Sequence, residues 1–147
     1  MAEAQSSSGE GTTKEEDNNG VIGKHLYGNF YGINSELLGD KDFLERLMLE
    51  AAELTGAKVV EHHAWSFGGK KGGVSVLVLV TESHLALHTW VEYGYATVDI
   101  YTCGAHTDPL RGFNLLLERL KPRRYIARYV ERSSREEIFL SEREIAR

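Results

Sequence analysis

The chain has 147 residues, 41% of them hydrophobic, and a formal charge of -5. That length suits one domain able to bury a core. Residues 1–20 hold five acids and one base, a net of -4, so the remainder is near neutral and lacks a large basic surface for nucleic acid or membrane.

No stretch approaches a transmembrane span, and the N-terminus lacks an apolar signal core. The single Cys, Cys103, excludes an internal disulfide. These features predict a soluble cytoplasmic protein.

Residues 1–20 are rich in Ser, Gly, Thr, Asn and Glu and predict a disordered acidic tail. A folded domain is expected over 21–134, followed by a charged tail over 135–147. Gly23 to Ile33 reads as a strand. Asp42 to Thr55 predicts a helix, with Phe43, Leu44, Leu47, Met48, Ala51 and Ala52 on one face and Gly56 as its stop. Ala57 to Phe67 returns as a strand, and Gly68 to Gly73 is a loop.

Val74 to Val80 is apolar on both faces apart from Ser75. A strand with one solvated face would alternate. Both sides therefore need cover, and two helices can cover only one face of a small sheet. The expectation is α+β: a mainly antiparallel sheet with two helices on one face and a partner subunit's sheet on the other, an α/β/β/α sandwich in the dimer.

His84 to Trp90 and Tyr95 to Cys103 predict two more strands joined by a tight connection at Val91 to Gly94. In the second, Tyr93, Tyr95, Thr97, Asp99, Tyr101 and Cys103 share one face, and Gly94, Ala96, Val98 and Ile100 the other. Pairing Trp90 with Tyr93 would set His88 opposite Tyr95 and leave Cys103 about 26 Å further along. Asp108 and Pro109 open a second helix, whose buried stripe is Leu110, Phe113, Leu116, Leu117 and Leu120. Pro122 closes it, and Tyr125 to Val130 is a last strand. The tail from Ser133 reads as a short helix or a frayed end.

Three chemistries can be weighed on residues alone. His84 and His88 lie roughly 13 Å apart on a strand, too far to share a zinc ion, so no metal is expected. One Cys among several His is compatible with Cys-His hydrolysis, but no orienting third residue stands out. The Gly68 to Gly73 loop joins strand to strand with no helix N-terminus behind it, so it is a poor phosphate cradle.

The junction Glu82-Ser83 is different. Thr81-Glu82-Ser83-His84, Leu87-His88-Thr89-Trp90, Glu92-Tyr93-Gly94-Tyr95-Ala96 and Asp99-Ile100-Tyr101-Thr102-Cys103-Gly104 together resemble the prokaryotic S-adenosylmethionine decarboxylases. Weaker similarity runs from Gly23 to about Ser134. Those proteins are pyruvoyl-dependent proenzymes. The resemblance implies self-cleavage at Glu82-Ser83 into a β chain (1–82) and an α chain (83–147), with Ser83 becoming the pyruvoyl group that forms a Schiff base with a substrate amine. By matching position, His88 resembles the processing base, Cys103 the proton donor and Ser75 a serine that assists processing. No external cofactor is then needed. The other partners implied are a small amino acid substrate and further copies of the chain, as a homo-oligomer of αβ units.

Two substrates remain open. Trp90-Val91-Glu92 departs from the family's usual Trp-Pro-Glu, and Val76 follows Ser75 where a small residue is usual. The segments Trp65 to Ser75 and Lys24 to Asn29 resemble more closely an archaeal branch that decarboxylates arginine to agmatine for polyamine synthesis. Aromatics for an adenine (Trp65, Phe67, Trp90) and acids for a guanidinium (Glu61, Asp99, Glu131) are both available. Arginine is the expected substrate, S-adenosylmethionine the alternative. A non-cleaving binding homologue is a further alternative, and it predicts an intact chain.

Overall fold

The computed structural model describes residues 21–68 and 72–134, and the backbone of 137–146. The acidic segment 1–20 and the centre of the Gly68 to Gly73 loop lie outside the described residues.

Seven strands form one antiparallel sheet: β1 (Ile22–Tyr31), β2 (Val59–Ser66), β3 (Val74–Val80), β4 (Ser83–Trp90), β5 (Tyr95–Cys103), β6 (Arg124–Ser133) and β7 (Glu137–Ala146), in spatial order β2-β3-β4-β5-β1-β6-β7. With two main helices, α2 (Lys41–Thr55) and α3 (Pro109–Leu120), the α+β expectation is met. A one-turn helix, α1 (Ser35–Leu38), precedes α2.

The tail is a correction: residues 137–146 are neither helix nor frayed end but strand β7, paired along β6. Charged residues interrupt the apolar periodicity there, so local patterning hid a strand that cross-strand backbone bonds hold. β6 is likewise longer than Tyr125 to Val130.

Caps fix the helices. The Asp40 carboxylate accepts from the Phe43 N–H, and Gly56 ends α2 at φ 92. The Asp108 carboxylate accepts from the Leu110 N–H ahead of Pro109. Lys121 closes α3 in the left-handed region, with Pro122 behind it. Leu44, Leu47, Met48, Ala51 and Ala52 of α2, and Phe113, Leu116 and Leu120 of α3, are buried. Leu110 is not: it falls on the flank of the stripe and stays exposed. A bidentate Arg119–Glu50 pair links the two helices, with nitrogen–oxygen distances of 3.0 and 3.2 Å.

The helices lie on one sheet face only. Alternation assigns Leu26 and Phe30, Val74, Val76, Val78 and Val80, Leu85 and Leu87, and Ala96, Val98 and Ile100 to that buried face. Among the described residues the opposite face is open in the single chain. Leu77 and Leu79, the outward residues of β3, are 44% and 50% exposed. The double-sided apolarity of β3 thus meets helix on one side and, among the described residues, nothing of this chain on the other. Tyr95 and Tyr101 stand on the open face as expected. Tyr93 does not: Val91–Tyr93 is a 3-10 turn and Tyr93 is exposed.

Candidate active site

Val80 pairs with Ser83, so Thr81 and Glu82 form a two-residue hairpin loop. Such loops favour Gly, Asn or Asp, which tolerate positive φ. Neither Thr81 nor Glu82 is of that kind. The positive φ falls instead on Ser83, at 149°. A non-glycine residue held there stores strain of about 1–3 kcal/mol, and such strain persists only where the surroundings over-determine it.

The surroundings here are hydrogen bonds from neighbouring segments. Thr81 N–H donates to the Lys58 carbonyl at 2.9 Å, and Lys58 N–H donates to Glu82 Oε1 at 3.2 Å. His106 Nε2 lies 2.7 Å from Glu82 Oε2. That hydrogen bond, against the opposing effect of burial and with help from Thr81 and the Lys58 N–H, holds the Glu82 carboxyl at about 2. The Cys103 thiol donates to the Glu82 carbonyl oxygen at 3.3 Å. The strained serine, the carbonyl before it and the only cysteine therefore meet at one end of the sheet.

Ser75 and His88 meet at the other end. They are cross-strand partners, with Ser75 Oγ 2.7 Å from His88 Nδ1. His88 is five residues from Ser83 along β4, or about 16 Å. Trp90 pairs with Tyr95 rather than Tyr93, because the 3-10 turn takes up the connection, and His88 sits opposite Thr97. Cys103 is then six residues beyond, roughly 20 Å away. The shifted register shortens the expected gap without closing it. Within one chain the five residues form two clusters, Glu82–Ser83–Cys103 and Ser75–His88.

Between the clusters the open face carries His25 and Asp99, with Nε2 and Oδ1 3.0 Å apart. His25 packs on Tyr27 and Tyr101 at 4.6 and 5.6 Å between ring centres, and Arg132 lies over Tyr101 at 4.3 Å. Of the residues weighed for a substrate tail, Trp65 is paired with Ser75 and Trp90 is two residues past His88, so both mark that end. Glu61 pairs with Leu79. Glu131 instead lines a cavity of about 530 Å³ beside Cys103, with Val21, Ile22, Lys24 and Ala105. Lys24 Nζ is engaged by the carbonyls of Gly104 (3.0 Å) and Thr107 (2.6 Å), which leaves Glu131 as the cavity's carboxylate among the described residues.

His106 went unremarked in the sequence. It follows Cys103 by three residues, but only the β4–β5 register brings that loop onto Glu82. Among the described residues no cluster of three His, Cys, Asp or Glu side chains could hold a metal ion, and no helix is long and apolar enough to cross a membrane.

Comparison with known proteins gives a consistent set of relatives. Residues 24–133 match the family described as S-adenosylmethionine decarboxylase. The arginine decarboxylase proenzyme of Aeropyrum pernix is 57% identical over 113 residues, covering 77% of this chain and 86% of its own. That of Hyperthermus butylicus is 51% identical over 114 residues, covering 78% and 80%. Among solved structures, the crystal structure of the adenosylmethionine decarboxylase from Aquifex aeolicus superposes with a TM-score of 0.67 at 28% identity, covering 74% of this chain and 88% of that one.

Proposed function

Because this chain belongs to the S-adenosylmethionine decarboxylase family, we propose that it is a self-cleaving, pyruvoyl-dependent arginine decarboxylase that releases agmatine and carbon dioxide in polyamine synthesis. The observation that carries the self-cleavage is Ser83 at φ 149, directly after a carbonyl that accepts the Cys103 thiol. Two arginine decarboxylase proenzymes at 57% and 51% identity support the substrate, against 28% for the adenosylmethionine enzyme.

The residues present suit formation of the group. The Ser83 hydroxyl attacks the Glu82 carbonyl carbon, and the peptide C–N bond gives way to an ester. Loss of the Ser83 Cα proton then expels Glu82 as a carboxylate. Water displaces the nitrogen as ammonia, leaving a ketone at the start of the 83–147 fragment. Cys103 polarises the carbonyl under attack by donating to its oxygen. The pyruvoyl group, once formed, supplies an electron-withdrawing carbonyl next to the substrate's departing carboxylate. Cys103 remains at that position as a proton donor for the substrate carbon.

His88, oriented by Ser75, serves as the processing base from a second copy of the chain. Cys103 and the Ser75–His88 pair stand on the open face, at its opposite ends, with Ser83 at the strand end beside Cys103. A two-fold axis through the middle of that face lays one end of each chain on the other end of its partner. The same contact covers Leu77 and Leu79 and completes the α/β/β/α sandwich. The guanidinium of arginine is taken by Glu131 in the cavity beside Cys103, as a charge-assisted pair.

The test uses purified protein incubated separately with arginine and with S-adenosylmethionine, measuring carbon dioxide. Release from arginine is expected. Release from S-adenosylmethionine alone would overturn the substrate. Intact mass should show two fragments, the smaller bearing a ketone in place of Ser83. A single unbroken chain in an active preparation would overturn the mechanism, and Ser83→Ala should abolish both cutting and activity.

A further inference from the structure

The bond to be cut is held through the side chain of the residue before it. Glu82 is gripped on three sides: its carbonyl by the Cys103 thiol, one carboxylate oxygen by the Lys58 N–H and the other by His106 Nε2 at 2.7 Å. His106 comes from a loop that is itself fixed. Thr107 Oγ1 donates to the carbonyls of Cys103 and Gly104, at 3.2 and 3.1 Å, and Lys24 ties the same loop to β1. Gly104, at φ +97, lets the imidazole lie against the backbone: a Cβ there would stand 2.7 Å from its Cε1 and 2.9 Å from its Nδ1. The Glu82 side chain is only 14% exposed, whereas the His106 side chain is 58% exposed. A half-exposed ion pair adds little to fold stability. Its consequence here is geometric, because the carboxylate it fixes belongs to the hairpin loop whose closure puts Ser83 at φ 149.

We propose that His106 is a positioning residue for self-cleavage: by anchoring the Glu82 carboxylate it keeps the Glu82–Ser83 peptide in the turn from which the Ser83 hydroxyl attacks. It takes no part in decarboxylation once the bond is cut. The proposal rests on the reading of Glu82–Ser83 as the cut site. Without the anchor, Glu82 swings out, the loop relaxes and Ser83 returns to an ordinary strand conformation with its hydroxyl turned from the carbonyl.

The experiment follows cutting of the full chain during cell-free synthesis, by intact mass, for wild type, His106→Ala, His106→Gln, Glu82→Gln and the His106→Ala/Glu82→Gln double variant. His106→Ala should slow cutting about 10-fold or more, and His106→Gln, which keeps a side-chain donor, should recover most of the rate. The double variant should be no slower than the slower single one, since both remove one interaction. Chains of His106→Ala that have been cut should decarboxylate arginine at the wild-type kcat. Wild-type cutting by His106→Ala would overturn the proposal. So would equal slowing by the Ala and Gln variants together with a lowered Tm, which marks a structural role only. A wild-type chain that stays whole would overturn this proposal and the reading beneath it together; slowed cutting in a protein inactive on arginine would overturn the substrate alone and support the role of His106.

Discussion

The Cys103 thiol donates to the carbonyl oxygen of Glu82 at 3.3 Å, across strands that the sequence separates by 21 positions. On the proposed mechanism this contact would serve two successive steps: a donor to the Glu82 carbonyl under attack, then a proton source for the substrate carbon. The two uses can be separated by experiment.

Cys103→Ala should slow chain cutting only roughly 2- to 10-fold, the value of one hydrogen bond of about 0.5–1.5 kcal/mol. Decarboxylation per cut chain should fall by about 10²–10⁴, as expected for removal of a general acid. Gel densitometry gives the first rate and carbon dioxide release the second. Equal losses in both would show that the thiol has one role.

The two clusters predict complementation. Ser83→Ala and His88→Ala chains should each stay whole when made alone. Co-expressed, the His88→Ala chain supplies Ser83 and the Ser83→Ala chain supplies His88, so cutting of the His88→Ala chain should reappear. If it stays whole in the mixture, the site is not shared between copies.

Glu131→Gln keeps the shape of the cavity and removes its charge. KM for arginine should rise roughly 10- to 100-fold, corresponding to a charge-assisted hydrogen bond of about 1.5–3 kcal/mol. Chain cutting should be unchanged. An unaltered KM would remove Glu131 from the substrate site.

Glu82 predicts an acid limit for the uncut form. Its carboxyl is held at about 2, below its ordinary 4.5, chiefly by His106. A depressed carboxyl stabilises the fold fully above the unfolded value, and the contribution is lost as pH falls through the folded one. The Tm of Ser83→Ala should therefore exceed that of Ser83→Ala/Glu82→Gln by a small margin near pH 5, and the margin should close as pH falls towards 2. A margin that does not vary over that window would show that Glu82 is not held in this way.

The sequence alone determined what depends on near neighbours. The alternation of β5 set which residues face the helices, because successive strand side chains point to opposite faces. The three-and-four spacing of α2 and the capping residues Asp108 and Gly56 placed two helices. The unbroken apolarity of β3 announced a second face in need of cover. The residue types Ser83, Cys103, His88 and Ser75 were legible together through the motif they share.

Tertiary structure decided the rest. Which residue of the Thr81–Glu82 hairpin would bear the positive φ depended on how β3 and β4 close on each other. Whether Cys103 stood at the Glu82–Ser83 junction depended on the β4–β5 register, which a single turn shifts by whole residues. His106 and Glu131 gained meaning only when loops and strands distant in sequence were brought onto Glu82 and Cys103. Strand β7 was hidden for the same reason: backbone pairing with a neighbour, and not its own pattern of side chains, makes it a strand.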